Sequence, residues 1–213
     1  MQQTLIKAQW RNEVDIYPEQ VRDALAEALD GQSMPLLFNY EPDGSTRKAS
    51  PVARFIGGKR WQGLLVLEGH EDMAAQAMMP YVITLTRMAG SAPQIQIEEH
   101  DASLDLWLDS PIPYRLSKMA IRDRKGQIER FDRKVVEQAI LRGLRDTLSL
   151  YGITSVEAED LFAGYLEEKQ VPYSRGKTVL TSGTLLLNGN LKGIWQVGAF
   201  QSLGHGRISR IIA

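Results

Sequence analysis

Near the end of the chain, cations and glycines are interleaved in a way that suits an anion. Gly189-Asn190-Leu191-Lys192-Gly193 leads to Gly198 and then to Leu203-Gly204-His205-Gly206-Arg207-Ile208. Glycines permit positive φ and let a backbone approach another molecule closely. His205 and Arg207 add donors suited to phosphate or a base edge. No acid follows Glu168, and the final 44 residues hold five basic side chains: Arg175, Lys177, Lys192, Arg207 and Arg210. The pattern points to a polyanion site with Lys192, Gly204, His205, Gly206 and Arg207 as its contacts. In the competing reading the glycines merely turn the chain and His205 packs across them.

Two further histidines could move protons. His70 stands beside Glu71 and Asp72, which favour its protonation but repel an anionic substrate. It reads first as a surface or capping residue and second as an acid or base. His100, between Glu99 and Asp101, reads as an exposed hairpin residue. Other chemistries lack their residues. There is no cysteine, hence no disulfide and no thiolate metal site. No zinc cluster or phosphate loop appears, and residues 198–204 do not match the dinucleotide fingerprint. No cofactor or metal is expected. No 18-residue apolar run suits a membrane span, and the start lacks the pattern of a signal peptide, so a cytoplasmic protein is expected.

Length and charge set the frame. With 213 residues the chain can form one large domain or two small ones. Its net charge of -1 gives no global attraction to nucleic acid, but the distribution is uneven. Residues 66–110 carry eight acids and one cation, Arg87, whereas residues 110–150 carry ten cations and five acids. One basic face on a nearly neutral protein fits this asymmetry.

Elements must position these groups. Residues 5–10 suit a strand, and Pro18 opens a helix whose stripe is Val21, Leu25, Ala28 and Leu29, stopped at Gly31. Strands are expected at 36–40, 52–56 and 61–67, a short helix at 71–79, and a strand at 81–86. The alternating runs 94–98 and 104–108 suggest an acidic hairpin edge. Pro111 and Pro113 mark the boundary between domains at 1–109 and 110–213. Beyond it come a strand over 114–121, a turn at Asp123–Gly126, and a long helix capped by Asp132 and stopped at Gly152. Strands over 177–187, a short helix or turn over 191–197 and a strand over 207–212 complete the chain. Both halves fit a β-α-β-β-α-β order, which predicts an α+β protein of two tandem ferredoxin-like domains.

The motif Gly189-Asn190-Leu191-Lys192-Gly193-Ile194-Trp195, then Gly198, then Ser202 to Ile208, resembles the C-terminal glycine-rich signature of the CRISPR-associated RAMP proteins. It looks most like that of their precursor-RNA processing endoribonucleases. A second, weaker similarity lies in the proline-led strand and basic turn from Ser50 to Leu64. The resemblance implies a protein that binds CRISPR repeat RNA or crRNA and cuts the precursor once. It also implies no metal: the ribose 2′-hydroxyl attacks the adjacent phosphate, with a base, an acid and cationic stabilisation around it. The second reading is a noncatalytic RAMP subunit within a CRISPR effector complex.

Many members carry a catalytic histidine early in the first domain, but this chain has none before His70. The same region offers Tyr40, Arg47 and Lys48, so Tyr40, Lys48 and His70 are the catalytic candidates. The RNA-binding candidates are Arg47, Arg54, Lys59, Arg60, Arg115, Lys118, Arg130, Arg133, Lys134 and Arg142, joined by Lys192 and the 204–207 loop. Arg54, inside an apolar run, is expected to point to the outer face or to pair with an acid or phosphate. Arg122, Arg124 and Lys125 extend the basic segment that begins at Arg115. Arg115 and Lys118 have opposite parity, so a regular strand would not present both on one face. Trp195 and Phe200 read as packing residues before stacking platforms.

Overall fold

The computed structural model describes residues 1–29, 33–107, 109–122, 130–154, 156, 158–173 and 177–211. Within them it combines three α-helices with antiparallel sheets, and the chain falls into two compact units. One comprises Gln2–His100 with Ser202–Gly204; the other comprises Met1, Asp101–Gln201 and His205–Ala213.

The first unit runs β1 (Gln2–Gln9), α1 (Pro18–Ala28), a 3₁₀ turn at Pro35–Phe38, β2 (Ala53–Gly58), β3 (Trp61–Leu67), α2 (Glu71–Ala89) and β4 (Gln94–Asp101). Its sheet order is β2-β3-β1-β4, with β1 and β2 each antiparallel to β3. Strand β3 therefore separates two parallel strands, and α1 is the crossover between them. Pro18 pre-sets the first helical turn, and the Gln20 side chain accepts a hydrogen bond from Tyr17 N at 3.0 Å. Val21 and Leu25 turn inward from α1 to meet Phe38, Phe55, Leu64 and Tyr81.

Three expectations for this half are corrected. The segment 81–86 is not a strand, because α2 continues through Pro80 to Ala89. A proline inside a helix costs about 3 kcal/mol, but Ala74, Ala77, Tyr81, Thr84 and Leu85 form one buried stripe at helical spacing, which offsets it. The segment 36–40 is not a strand either: Pro35 opens a 3₁₀ turn that buries Leu37 and Phe38. The runs at 94–98 and 104–108 do not pair as a hairpin, since β4 lies beside β1 and the strand after it belongs to another sheet.

The second unit contains β5 (Ser103–Leu106), β6 (Ile112–Arg122), α3 (Arg133–Leu150), β7 (Ala163–Tyr173), β8 (Thr178–Leu187), β9 (Gly189–Lys192), β10 (Trp195–Gln196) and β11 (Arg207–Arg210). The main sheet has the order β10-β11-β6-β8-β7, and β5 pairs with β9 in a small sheet. No helix forms over 191–197. Residues 189–192 pair with β5 and residues 195–196 with β11, so long-range ladders override the local pattern.

The parity objection to Arg115 and Lys118 is also corrected. Strand β6 carries a bulge between Leu116 and Met119, with Lys118 at φ 49°. The extra residue returns Met119 to the buried side used by Leu116 and leaves both Arg115 and Lys118 exposed. The turn at Asp123–Gly126, with Arg124 and Lys125, lies outside the described residues, as do Gly31 and Arg175.

Helix α3 begins as its sequence predicts: Asp132 Oδ1 accepts a hydrogen bond from Val135 N at 3.1 Å. Asp132→Ala is expected to destabilise the protein by about 1 kcal/mol, with Asp132→Asn retaining most of that stability. Urea unfolding of the three proteins checks it; equal midpoints would remove the cap from the account.

Candidate nucleic-acid interface

Strand register decides which candidates meet. Ala53 pairs with Val66 and Gln3 with Leu67, so the segment entering β2 and the turn leaving β3 lie at one end of the first sheet. Tyr40, Arg47 and Lys48 precede β2, and His70 is the N-cap residue of α2. His70 thus lies at that end, Lys48 lies in the segment leading to β2, and Tyr40 lies against Arg22 of α1. Lys59 and Arg60 sit in the β2–β3 turn at the opposite end, where Gly58 pairs with Trp61.

Tyr40 is held from two sides. Its backbone bridges Thr46, and its ring lies 5.3 Å from the Arg22 guanidinium. Arg22 was not singled out by sequence, because a cation on an amphipathic helix reads as part of a solvated face. Here it is 8% exposed, donates from Nη2 to Phe38 O at 2.8 Å, and pairs with Asp23 at 3.0 Å. It is thereby a buried cation that fixes the ring of Tyr40. Arg47 lies 3.6 Å from Glu41, and Lys48 is exposed. His70 makes no side-chain cap hydrogen bond. Among the described residues, no hydrogen bond or ion pair joins Tyr40, Lys48 and His70 to one another.

Arg54 does not point outward. It is fully buried, and its Nε donates to Pro51 O at 3.3 Å. Both faces of β2 are covered, so a residue of either parity is enclosed there.

In the second unit four of the candidate cations already face acids. Arg115 pairs with Glu168 at 2.5 Å, Arg130 with Glu167 at 2.6 Å, Arg133 with Glu137 at 2.7 Å and Lys192 with Asp105 at 3.6 Å. Exposed pairs of this kind contribute about 0–1 kcal/mol each, so a phosphate can displace the carboxylate cheaply. Lys134 and Arg142 are exposed on α3.

The C-terminal loop is built more for shape than for display. His205 is 8% exposed, its ring 5.2 Å from Tyr173 and 6.4 Å from Phe200. Arg122 covers Phe200 at 5.0 Å. His205 therefore packs among aromatics rather than standing on the loop surface. Gly206 has φ 76°, and a Cβ there would overlap Val197 O. Gly204 has φ 85°, and its Cβ would come 2.7 Å from Phe55 O. Arg207 is half-buried in β11, and burial lowers its guanidinium from the usual range without threatening its charge. Trp195 is buried, stacks edge-on against Tyr151 and donates to Lys192 O at 2.6 Å, a packing role.

A family model for the type IV CRISPR-associated endonuclease Csf5 matches residues 1–213. The chain belongs to this family. Among solved structures, the type IV Cas6 crRNA endonuclease Csf5 resembles it with a TM-score of 0.78 at 19% identity, covering 100% of both chains. A Cas6b crystal structure gives 0.73 at 12% identity over 99% of this chain and 100% of that one. A Cas6b CRISPR RNA processing endoribonuclease gives 0.65 at 12% identity over the same shares. At such identities the likeness to these structures concerns the fold. No curated protein sequence matches the chain. For this Csf5-family chain, no described helix is long and apolar enough to cross a membrane.

Proposed function

We propose that this protein binds CRISPR repeat RNA and cuts the precursor transcript without a metal ion, by attack of a ribose 2′-hydroxyl on the adjacent phosphate. The family match along the whole chain carries the reading. The order β2-β3-β1-β4 in one unit and β11-β6-β8-β7 in the other supports two tandem ferredoxin-like domains, with β9 and β10 standing where the second would have its second helix. The N-terminal domain ends, in this reading, before the prolines that open β6.

In this reading the reaction centre belongs to the first unit and is made by Tyr40, Arg47, Lys48 and His70. One of Tyr40 and His70 takes the 2′-hydroxyl proton, and the other protonates the departing 5′-oxygen. Lys48, with Arg47, neutralises the charge gathering on the phosphorane. The products carry a cyclic or 3′-phosphate and a 5′-hydroxyl, and atoms balance without added water in the first step. Arg115, Lys118, Lys134, Arg142 and Arg207 supply phosphate contacts, and the product crRNA stays bound for transfer to effector-complex proteins.

The test is single-turnover incubation with the cognate repeat RNA in EDTA. Specific cutting that vanishes when the scissile nucleotide is 2′-deoxy is the expected result. Binding without cutting would make the protein a guide-RNA subunit instead, and absence of both would remove the RNA reading.

A further inference from the structure

The second unit contains a cavity of about 750 Å³ that none of the proposed catalytic or phosphate contacts uses, lined by Trp107, Pro111, Pro113, Asn190, Arg210 and Ile211 among others. Its volume lies in the range of sites that hold a small organic group, about 300–1,000 Å³. Trp107 is 46% exposed, whereas Trp195 in the same unit is 1% exposed. A large apolar ring left open beside a cavity is an available stacking surface.

The walls are fixed. Trp107 N donates to Asn188 O at 2.9 Å, and Ile211 N donates to Pro113 O at 3.2 Å. Tyr114 accepts from Leu191 N at 2.9 Å and donates from its hydroxyl to Gly189 O at 3.0 Å, tying β9 to β6. Arg210 Nη1 donates to Asn190 Oδ1 at 3.4 Å, so these two lining side chains meet, and the Asn190 amide nitrogen remains a donor. The two prolines present no N–H, so this side offers contact area without a peptide-binding ladder. Among the described lining residues, Arg210 is the charged one, and it is a cation.

An indole face, an amide able to donate to a base carbonyl and a guanidinium placed for a phosphate match one chemical group: a nucleotide whose base is out of any helix. We propose that this cavity is a subsite for an unpaired nucleotide of the bound RNA, its base stacked on Trp107, its edge read by Asn190 and its phosphate met by Arg210. The proposal rests on the RNA-binding reading above but concerns a separate surface and unpaired RNA.

The experiment measures binding of the full chain to hexa-adenylate RNA and to the same hexamer with abasic riboses. Wild type is expected to prefer hexa-adenylate by about tenfold or more, because stacking is lost with the base. Trp107→Ala is expected to weaken hexa-adenylate about tenfold to a hundredfold and the abasic hexamer hardly at all, while Trp107→Phe stays within about threefold of wild type. Arg210→Ala is expected to weaken both oligomers alike. No preference for the base-containing hexamer, or equal binding by wild type and Trp107→Ala, overturns the proposal. So does a Trp107→Ala variant whose only change is loss of self-association in size exclusion, which would make the cavity a protein contact. If wild type still binds and cuts the cognate repeat, such a failure sinks the subsite alone. If it binds neither hexamer nor repeat, the functional reading falls with it.

Discussion

Gly206→Ala is expected to destabilise the second unit by about 4 kcal/mol or more, a large share of the 5–15 kcal/mol that holds an ordinary domain together. Two causes add. The residue sits at φ 76°, where an L side chain costs about 1–2 kcal/mol. The new Cβ would also overlap Val197 O, which is backbone and cannot swing aside. Moving it disturbs the hydrogen bond from Val197 N to Gly206 O at 2.9 Å and the donation from Gly206 N to Ser117 O at 3.1 Å. Gly152→Ala is the control in the same unit: its φ is 61°, but nothing lies within 4 Å of the added carbon. It is expected to cost only the backbone strain. Urea or thermal unfolding of both variants checks the difference, and equal shifts would sink the steric account.

Lys48→Ala is expected to slow single-turnover cutting about 10²–10³-fold at saturating protein, with stability changed by less than about 0.5 kcal/mol. The separation between activity and stability follows from exposure, since the Lys48 side chain is solvent-exposed. Tyr40→Phe should give a loss of about 10²-fold or more, because it removes a hydroxyl and leaves the ring packed beside Arg22. His70→Ala should do the same. Normal rates in all three variants would move the reaction away from these residues.

The fold was legible where local chemistry and tertiary packing agree. Pro18 with the Val21 and Leu25 stripe, the apolar run over 61–67, and the Asp132 cap each announce an element that forms as expected. It was misread where β-branched residues sit in a helix. Tyr81-Val82-Ile83-Thr84-Leu85 looks extended over five residues, but the longer spacing Ala74, Ala77, Tyr81, Leu85 is helical and decides the outcome through burial. The segment 191–197 shows the converse, because its strand character comes from partners at Ser103–Leu106 and Ile208, which no local window contains.

Much less of the site was legible. Sequence placed Tyr40, Lys48 and His70 in loops and turns, and strand register fixes only His70 at the end where β2 begins. It placed cations well and their environments badly. Arg54 is enclosed because its strand is covered on both faces, and His205 is enclosed because Tyr173 and Phe200 close over it. Arg22 and the Trp107 cavity left no motif at all, since their meaning lies in neighbours distant along the chain.

The ion pairs on both units have a consequence for how binding responds to salt. Arg47, Lys59, Arg115, Arg130, Arg133 and Lys192 each face a carboxylate within 2.5–3.6 Å. A phosphate that captures one of them sheds its condensed counterion, but the abandoned carboxylate attracts a mobile cation in return. Each such contact then releases less net salt than the roughly 0.7 ion per phosphate typical of a single strand. Plotted as log affinity against log salt, the protein would show a slope shallower than its number of phosphate contacts. Its grip on RNA would fade more slowly with ionic strength than a surface of unpaired lysines could manage.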